Sequence, residues 1–339
     1  MANEKTIPMP IEEEYYQISQ EIINSFPKYR LPLPLFRYKS DVAQLQPFIA
    51  REQRLTNEQV EEVQTLCSQG ELFVSRADYP IYSKHIIKQL DLVLVDHNLK
   101  PAEISYICVQ ALTMRLQNYL EQPVKMVADH LIEDLKVFTE YIKNDVHRIK
   151  SFMNRLVRQH TLASHSVNTL IVGIWIYLHS TKQEDLNAKE LDRYALGFLL
   201  HDAGMSKLPA FILTKNTPLK PEEKEKIPPH AMTGAKMAQK LDLGWDELVH
   251  AALEHHERMD GSGYPRKLKG EQISKIGRIA AIADSFCAMI TTRPYAAAKD
   301  PLTASNELAN DPKYDSRYST LIRNALITKE LKIIEPKVD

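Results

Sequence analysis

The chain has 339 residues, with 43 Lys and Arg against 44 Asp and Glu, for a formal net charge of −1. That length allows two domains and at least one sizeable core, and the near-neutral balance excludes a broadly basic nucleic-acid-binding surface. The cysteines Cys67, Cys108 and Cys287 are odd in number and far apart, which argues against a disulfide framework and suits a reducing compartment.

No basic-then-apolar leader opens the chain. The longest apolar run, Leu170 to Leu178, is shorter than the ~20 residues a membrane-spanning helix needs. A soluble cytoplasmic protein without membrane contact is expected.

In chain order, Ile11 to Ile23 reads as a short helix, and Leu31-Pro-Leu-Pro-Leu-Phe-Arg-Tyr reads as extended, because each proline disfavours the α conformation in its predecessor. Thr56-Asn57-Glu58-Gln59 resembles a capping box opening a helix that stops at Gly70. Glu71 to Ser75 alternates like a strand, and Tyr82 to Val95 has a helical apolar pattern. Residues 1–100 are therefore expected to form a small α/β domain, whose place ahead of the histidine-rich half suggests a regulatory role. It holds no catalytic constellation, since His85 and His97 stand alone.

Ile104 to Leu120 reads as a helix, and Pro123 restarts the chain. Apolar residues then recur at three- and four-residue intervals, at Val127, Leu131, Leu135, Phe138, Ile142, Val146, Ile149, Met153 and Leu156. This seam has two readings. It is either a long helix packed on its own domain or a stalk, within residues 101–158, that pairs with a second subunit through residues 124–157.

Eight of the twelve histidines lie between His160 and His256, and nine of the ten glycines follow residue 170. Helices are expected over Leu191–Leu200, Ala231–Leu241, Trp245–His256 and Ile276–Ile290, with two more closing the domain. Ligand-type residues sit at or near their ends: His165, His201, Asp202, His230, His255, His256 and Asp284. Adjacent helical residues point about 100° apart, so His201 with Asp202, or His255 with His256, can serve one site only where a helix ends. A buried carboxylate such as Asp284 needs a partner or a metal. Imidazole with carboxylate suits Fe, Mn or Zn. This many ligands exceed a single tetrahedral ion and fit two metals.

In their order and wording, several pieces resemble the HD-GYP domain of the HD hydrolase superfamily. They are His165-Ser166, Leu199-Leu200-His201-Asp202-Ala203-Gly204, His230 with Gly234, His255 to Pro265, Gly277-Arg278-Ile279, Ile282-Ala283-Asp284 and Arg293-Pro294-Tyr295. The resemblance implies a C-terminal all-α HD-type domain over residues 159–339, giving a mainly α protein with a connecting helix and a small α/β N-terminal domain. It implies hydrolysis of cyclic di-GMP to pGpG or GMP at a metal centre, commonly iron or manganese. It further implies that one metal is held by His165, His201, Asp202 and Asp284. The other is held by Asp202, His230, His255 and His256, with Asp202 bridging. Arg293 would contact phosphate or guanine, and Tyr264 with its loop would shape the substrate pocket or a surface for a protein partner.

Several positions depart from the family pattern. The lysine of His-Asp-x-Gly-Lys is Met205, with Lys207 two residues on. The glutamate that trinuclear members carry before the first histidine is Thr161, which favours two metals over three. Cys287, Ala296 and Asn168 replace other polar or basic residues. A weakly active receptor for cyclic dinucleotides, and a hydrolase of another cyclic dinucleotide, are the alternative readings.

Overall fold

The computed structural model describes residues 14–39, 44–87, 89–95, 99–213, 215, 217, 220–293 and 296–333. His97, Pro294, Tyr295 and the first three residues of the helix expected over Ile11 to Ile23 lie outside them. The chain divides into two compact units, residues 1–107 and 108–339.

The first unit holds strands β1 (Tyr15–Gln17), β2 (Leu35–Lys39), β3 (Gln44–Ile49) and β4 (Leu72–Ser75), with helices α1 (Gln20–Ser25), α2 (Asn57–Ser68), α3 (Tyr79–Ile86) and α4 (Leu92–Val95). The strands form one antiparallel sheet in the order β1-β4-β2-β3. Residues 15–17, expected to be helical, are a strand paired with β4. Pairing across the sheet overrides their local helical pattern. β3 carries Pro47 and takes the sheet edge, where a missing backbone N–H is tolerated. The Thr56–Gln59 capping box is formed, and α2 is followed by Gly70 at φ +75°. The single helix expected over Tyr82–Val95 is divided into α3 and α4.

Helix α5 (Pro101–Glu121) spans the unit boundary in sequence. The second unit continues with α6 (Lys125–Asn144), α7 (Ile149–Met153), α8 (Leu162–His179), α9 (Ala188–Leu200), α10 (Ala210–Leu213), α11 (Pro221–Lys224), α12 (Pro229–Lys240), α13 (Asp246–Glu254), α14 (Lys275–Met289), α15 (Pro301–Asn310) and α16 (Ser316–Ile327). The apolar seam runs through α6, across a break at Asp145, and into α7. Asp145 leaves the helix with φ −158° and caps the following turn by accepting from His147 N. Leu131, Leu135, Phe138, Ile142, Ile149, Met153 and Leu156 are buried within the chain. Val127 and Val146 of the same seam are partly exposed.

α8 is the core of this unit. Every residue from Ala163 to Leu178 is buried, as expected for a helix apolar on all sides. It packs against α9 and α14, while α13 packs against α9, α12 and α14. The ligand-type residues lie on these helices or just past their ends.

Candidate metal centre

Local backbone geometry brings the candidate side chains together. Thr161 caps α8, accepting from Ser164 N while Ser164 Oγ accepts from Thr161 N. That cap sets the first turn of α8, where His165 sits. His165 Nε2 lies 2.9 Å from Oδ1 of Asp284 on α14. His201 is the last near-helical residue after α9, and Asp202 turns out of the helix at φ −102°, ψ 10°. The helix end lets these adjacent side chains reach one place. Gly204 presses on α12 so closely that a Cβ there would fall 2.0 Å from His230 O. That contact seats Asp202 beside His230. His255 and His256 follow the end of α13, with ring centroids 4.1 Å apart.

Two groups result. Donor atoms of Asp202, His230, His255 and His256 lie within 4.8 Å of one another, as do those of His165, His201 and Asp202. Asp202 belongs to both. Its Oδ1 is 3.1 Å from His230 Nε2 and 3.5 Å from His255 Nε2, whereas Oδ2 is the oxygen toward His201 Nε2, at 4.0 Å. Asp284 Oδ1 is also 3.9 Å from His201 Nε2.

The tautomers favour a cation. Nδ1 of His201, His230 and His255 donates to Phe198 O, Ile227 O and Ala251 O respectively. In the neutral ring this leaves each Nε2 lone pair facing the cluster. His201 Nε2 and Asp202 Oδ1 are buried without a hydrogen-bond partner. Such orphaned acceptors are costly unless an ion or proton satisfies them. The set of imidazole nitrogens and carboxylate oxygens fits iron, manganese or zinc.

Charges are strongly coupled here. Burial would favour neutral His201, but Asp284 and Asp202 outweigh it and raise its pKa. At His230 burial is likewise outweighed by Asp202. His255 and His256 are lowered, first by burial and then by neighbouring imidazolium charge. Burial would raise both aspartates, yet His230 and His255 hold Asp202 well below the usual carboxylate range. His165 and His201 do the same for Asp284.

The loop after His256 is tied down by two buried glutamates. Glu257 accepts from Arg266 N at 2.7 Å and Leu268 N at 3.0 Å, and Glu254 accepts from Ser274 N at 2.8 Å and from the Arg266 guanidinium. Gly263 approaches so closely that a Cβ would fall 2.4 Å from His256 O. Tyr264 stacks on His256 with centroids 4.7 Å apart. Its phenol is pushed up by burial and by the Asp202 and Asp284 charges. Arg293 exchanges backbone hydrogen bonds with Ala296.

The other departures have local roles. Asn168 bonds both backbone groups of Val157. Cys287 is buried, which raises its thiol. Met205 sits in the turn after Asp202 with its N–H donating to Asp202 O, and Lys207 is exposed. His160 is a residue the sequence pattern did not single out. Its ring centroid is 5.9 Å from that of His165. Burial, then the Arg293 and His165 charges, lower its pKa to about 4.

Residues 153–318 match the family model described as HD domain. Among curated proteins, the chain is 36% identical over 165 residues to a cyclic di-GMP phosphodiesterase of Thermotoga maritima, covering 47% of this chain and 42% of that one. It is 33% identical over 161 residues to 3'3'-cGAMP-specific phosphodiesterase 1 of Vibrio cholerae, covering 46% and 37%. The matches thus span less than half of these relatives. A solved HDG"Y"P protein of Bdellovibrio bacteriovorus has the same fold, with a TM-score of 0.61 at 15% identity, covering 93% of this chain and all of that one.

Proposed function

With residues 153–318 matching the HD domain family model, we propose that the chain is a metal-dependent phosphodiesterase that hydrolyses cyclic di-GMP to pGpG and/or GMP. The observation that carries this reading is the pair of donor groups sharing Asp202, together with relatives named as cyclic di-GMP and cGAMP phosphodiesterases. His165, His201, Asp202 and Asp284 would hold one divalent ion, and Asp202, His230, His255 and His256 the other. Such ions, iron or manganese first and zinc next, supply Lewis-acid charge neutralisation and a water acidic enough to act near neutral pH.

The chain's own groups then orient the substrate. Arg293 would bind a phosphoryl oxygen or a guanine edge, and Tyr264, fixed on His256, would form a pocket wall. The exposed residues Asp260, Ser262 and Pro265 offer a surface to a protein partner. Among the described residues no helix is long and apolar enough to cross a membrane, and we place the activity in the cytoplasm. Since most of the seam in 124–157 is buried, a homodimer through this segment would use the partly exposed Val127 and Val146 together with exposed positions such as Val124 and Met126.

Met205 favours a second reading, a receptor of low activity. A phosphate-facing lysine at that position would add transition-state stabilisation of ~2–4 kcal/mol. The same protein loaded with iron or manganese, supplied with cyclic di-GMP and 3'3'-cGAMP, separates the readings. Hydrolysis lost in the His201→Ala/Asp202→Ala variant supports the enzyme. Binding that persists in that variant, with no turnover by the wild type, supports the receptor.

A further inference from the structure

The segment 158–160 runs alongside 290–293. Thr292 N donates to Arg158 O at 2.9 Å, Arg158 Nη1 donates to Ile290 O at 2.6 Å, and Gln159 forms a parallel bridge with Thr292. One residue further on, this register sets His160 beside Arg293 on the same face of the pair. The Arg293 charge reaches the His160 ring, as does the charge of Asp202. The ring also meets His165 edge to face, 5.9 Å between centroids. His160 therefore neighbours both His165 of the metal-type cluster and Arg293.

His160 Nδ1 is buried and has no hydrogen-bond partner. A buried ring nitrogen is costly to leave unpaired, so a bound group is expected to complete it. The adjacent guanidinium repels a further cation and attracts an anion, which selects an anionic oxygen over another metal. Thr161 is committed to the α8 cap, whereas His160 Nδ1 is without a hydrogen-bond partner.

We propose that His160 is a substrate-contacting residue, donating a hydrogen bond from Nδ1 to a phosphoryl oxygen of the bound cyclic dinucleotide while Arg293 supplies the charge. The inference rests on the phosphodiesterase reading for its substrate class.

The test uses the full chain loaded with manganese, as wild type, His160→Ala and His160→Gln, with cyclic di-GMP as probe. In His160→Ala we expect kcat/KM to fall about 10–100-fold. Equilibrium affinity for cyclic di-GMP should fall as well, while bound metal and melting temperature stay at wild-type values. His160→Gln, which keeps an N–H donor, should recover part of the loss. Kinetics and affinity in His160→Ala within about two-fold of wild type would overturn the inference. Loss of metal or of melting temperature in both variants would also overturn it, by showing a ligand or packing role. If the metal-loaded wild type binds but does not hydrolyse, the phosphodiesterase reading fails, and the affinity comparison still decides the role of His160.

Discussion

His230 Nε2 and His255 Nε2 stand 3.1 Å apart, although each ring already donates its Nδ1 hydrogen to a backbone carbonyl. Two neutral rings so arranged point lone pairs at each other, with Asp202 Oδ1 beside them. Only a positive charge, a proton or a metal cation, reconciles three acceptors at this spacing. The arrangement favours a built cation site over a packed polar core.

Protons and metal compete for that site. The pKa values of His201 and His230 are raised, burial being outweighed by the nearby aspartates, so both rings hold protons above the ordinary histidine value of ~6.5. Ligation requires neutral imidazole. Metal affinity should therefore weaken as pH falls through and below those raised values, by up to ~10-fold per pH unit for each competing proton. Titration calorimetry of manganese binding between pH 8 and 6, in buffers of different ionisation enthalpy, should show this with proton release. A flat affinity would contradict it.

Gly204 makes the contact between the Asp202 turn and the His230 helix. In Gly204→Ala the added Cβ meets His230 O at 2.0 Å and Gly234 N at 2.6 Å, both of them backbone atoms. The segments must separate, at a cost of ~1–3 kcal/mol. Thermal unfolding should move down, and bound metal should fall. An unchanged melting curve with full metal would refute the packing argument.

Glu257 holds the loop through two backbone N–H groups. In Glu257→Gln the amide nitrogen cannot accept, so one buried donor loses its partner, costing ~1–3 kcal/mol. Limited proteolysis should cut more readily within residues 258–268. Cleavage no faster than in the wild type would show that the carboxylate does not secure the loop.

Met205→Lys should raise kcat on cyclic di-GMP, by ~10–100-fold if the ammonium reaches the phosphate, with metal content unchanged. Steady-state kinetics beside metal analysis checks this. No gain in kcat would mean that the side chain at this position points away from the substrate.

The histidines and aspartates of the cluster were legible because metal chemistry restricts residue type and because helix ends are marked by glycine and proline, as at Gly204 and Pro228-Pro229. Their convergence was not legible, since it depends on how α8, α9, α12, α13 and α14 pack. β3 escaped notice because Gln44 to Ile49 is polar and carries Pro47, and an edge strand needs little apolar pattern. The helix break at Asp145 lacks glycine or proline and depends on a side-chain cap. His160 drew no attention because the parallel bridge between Gln159 and Thr292 sets it beside Arg293, 133 residues further on. The backbone partners of Glu254 and Glu257 lie between 9 and 20 residues further along the chain. Only the folded loop shows their backbone partners.

The central claim, two metals sharing Asp202 in a working phosphodiesterase, meets its most direct test in one sample. Protein purified without oxygen is analysed for metal, and the same sample is given cyclic di-GMP with its products resolved. The account predicts about two metal ions per chain and a linear product, with both falling in Asp202→Ala. Full metal occupancy with cyclic di-GMP bound and left intact would contradict it.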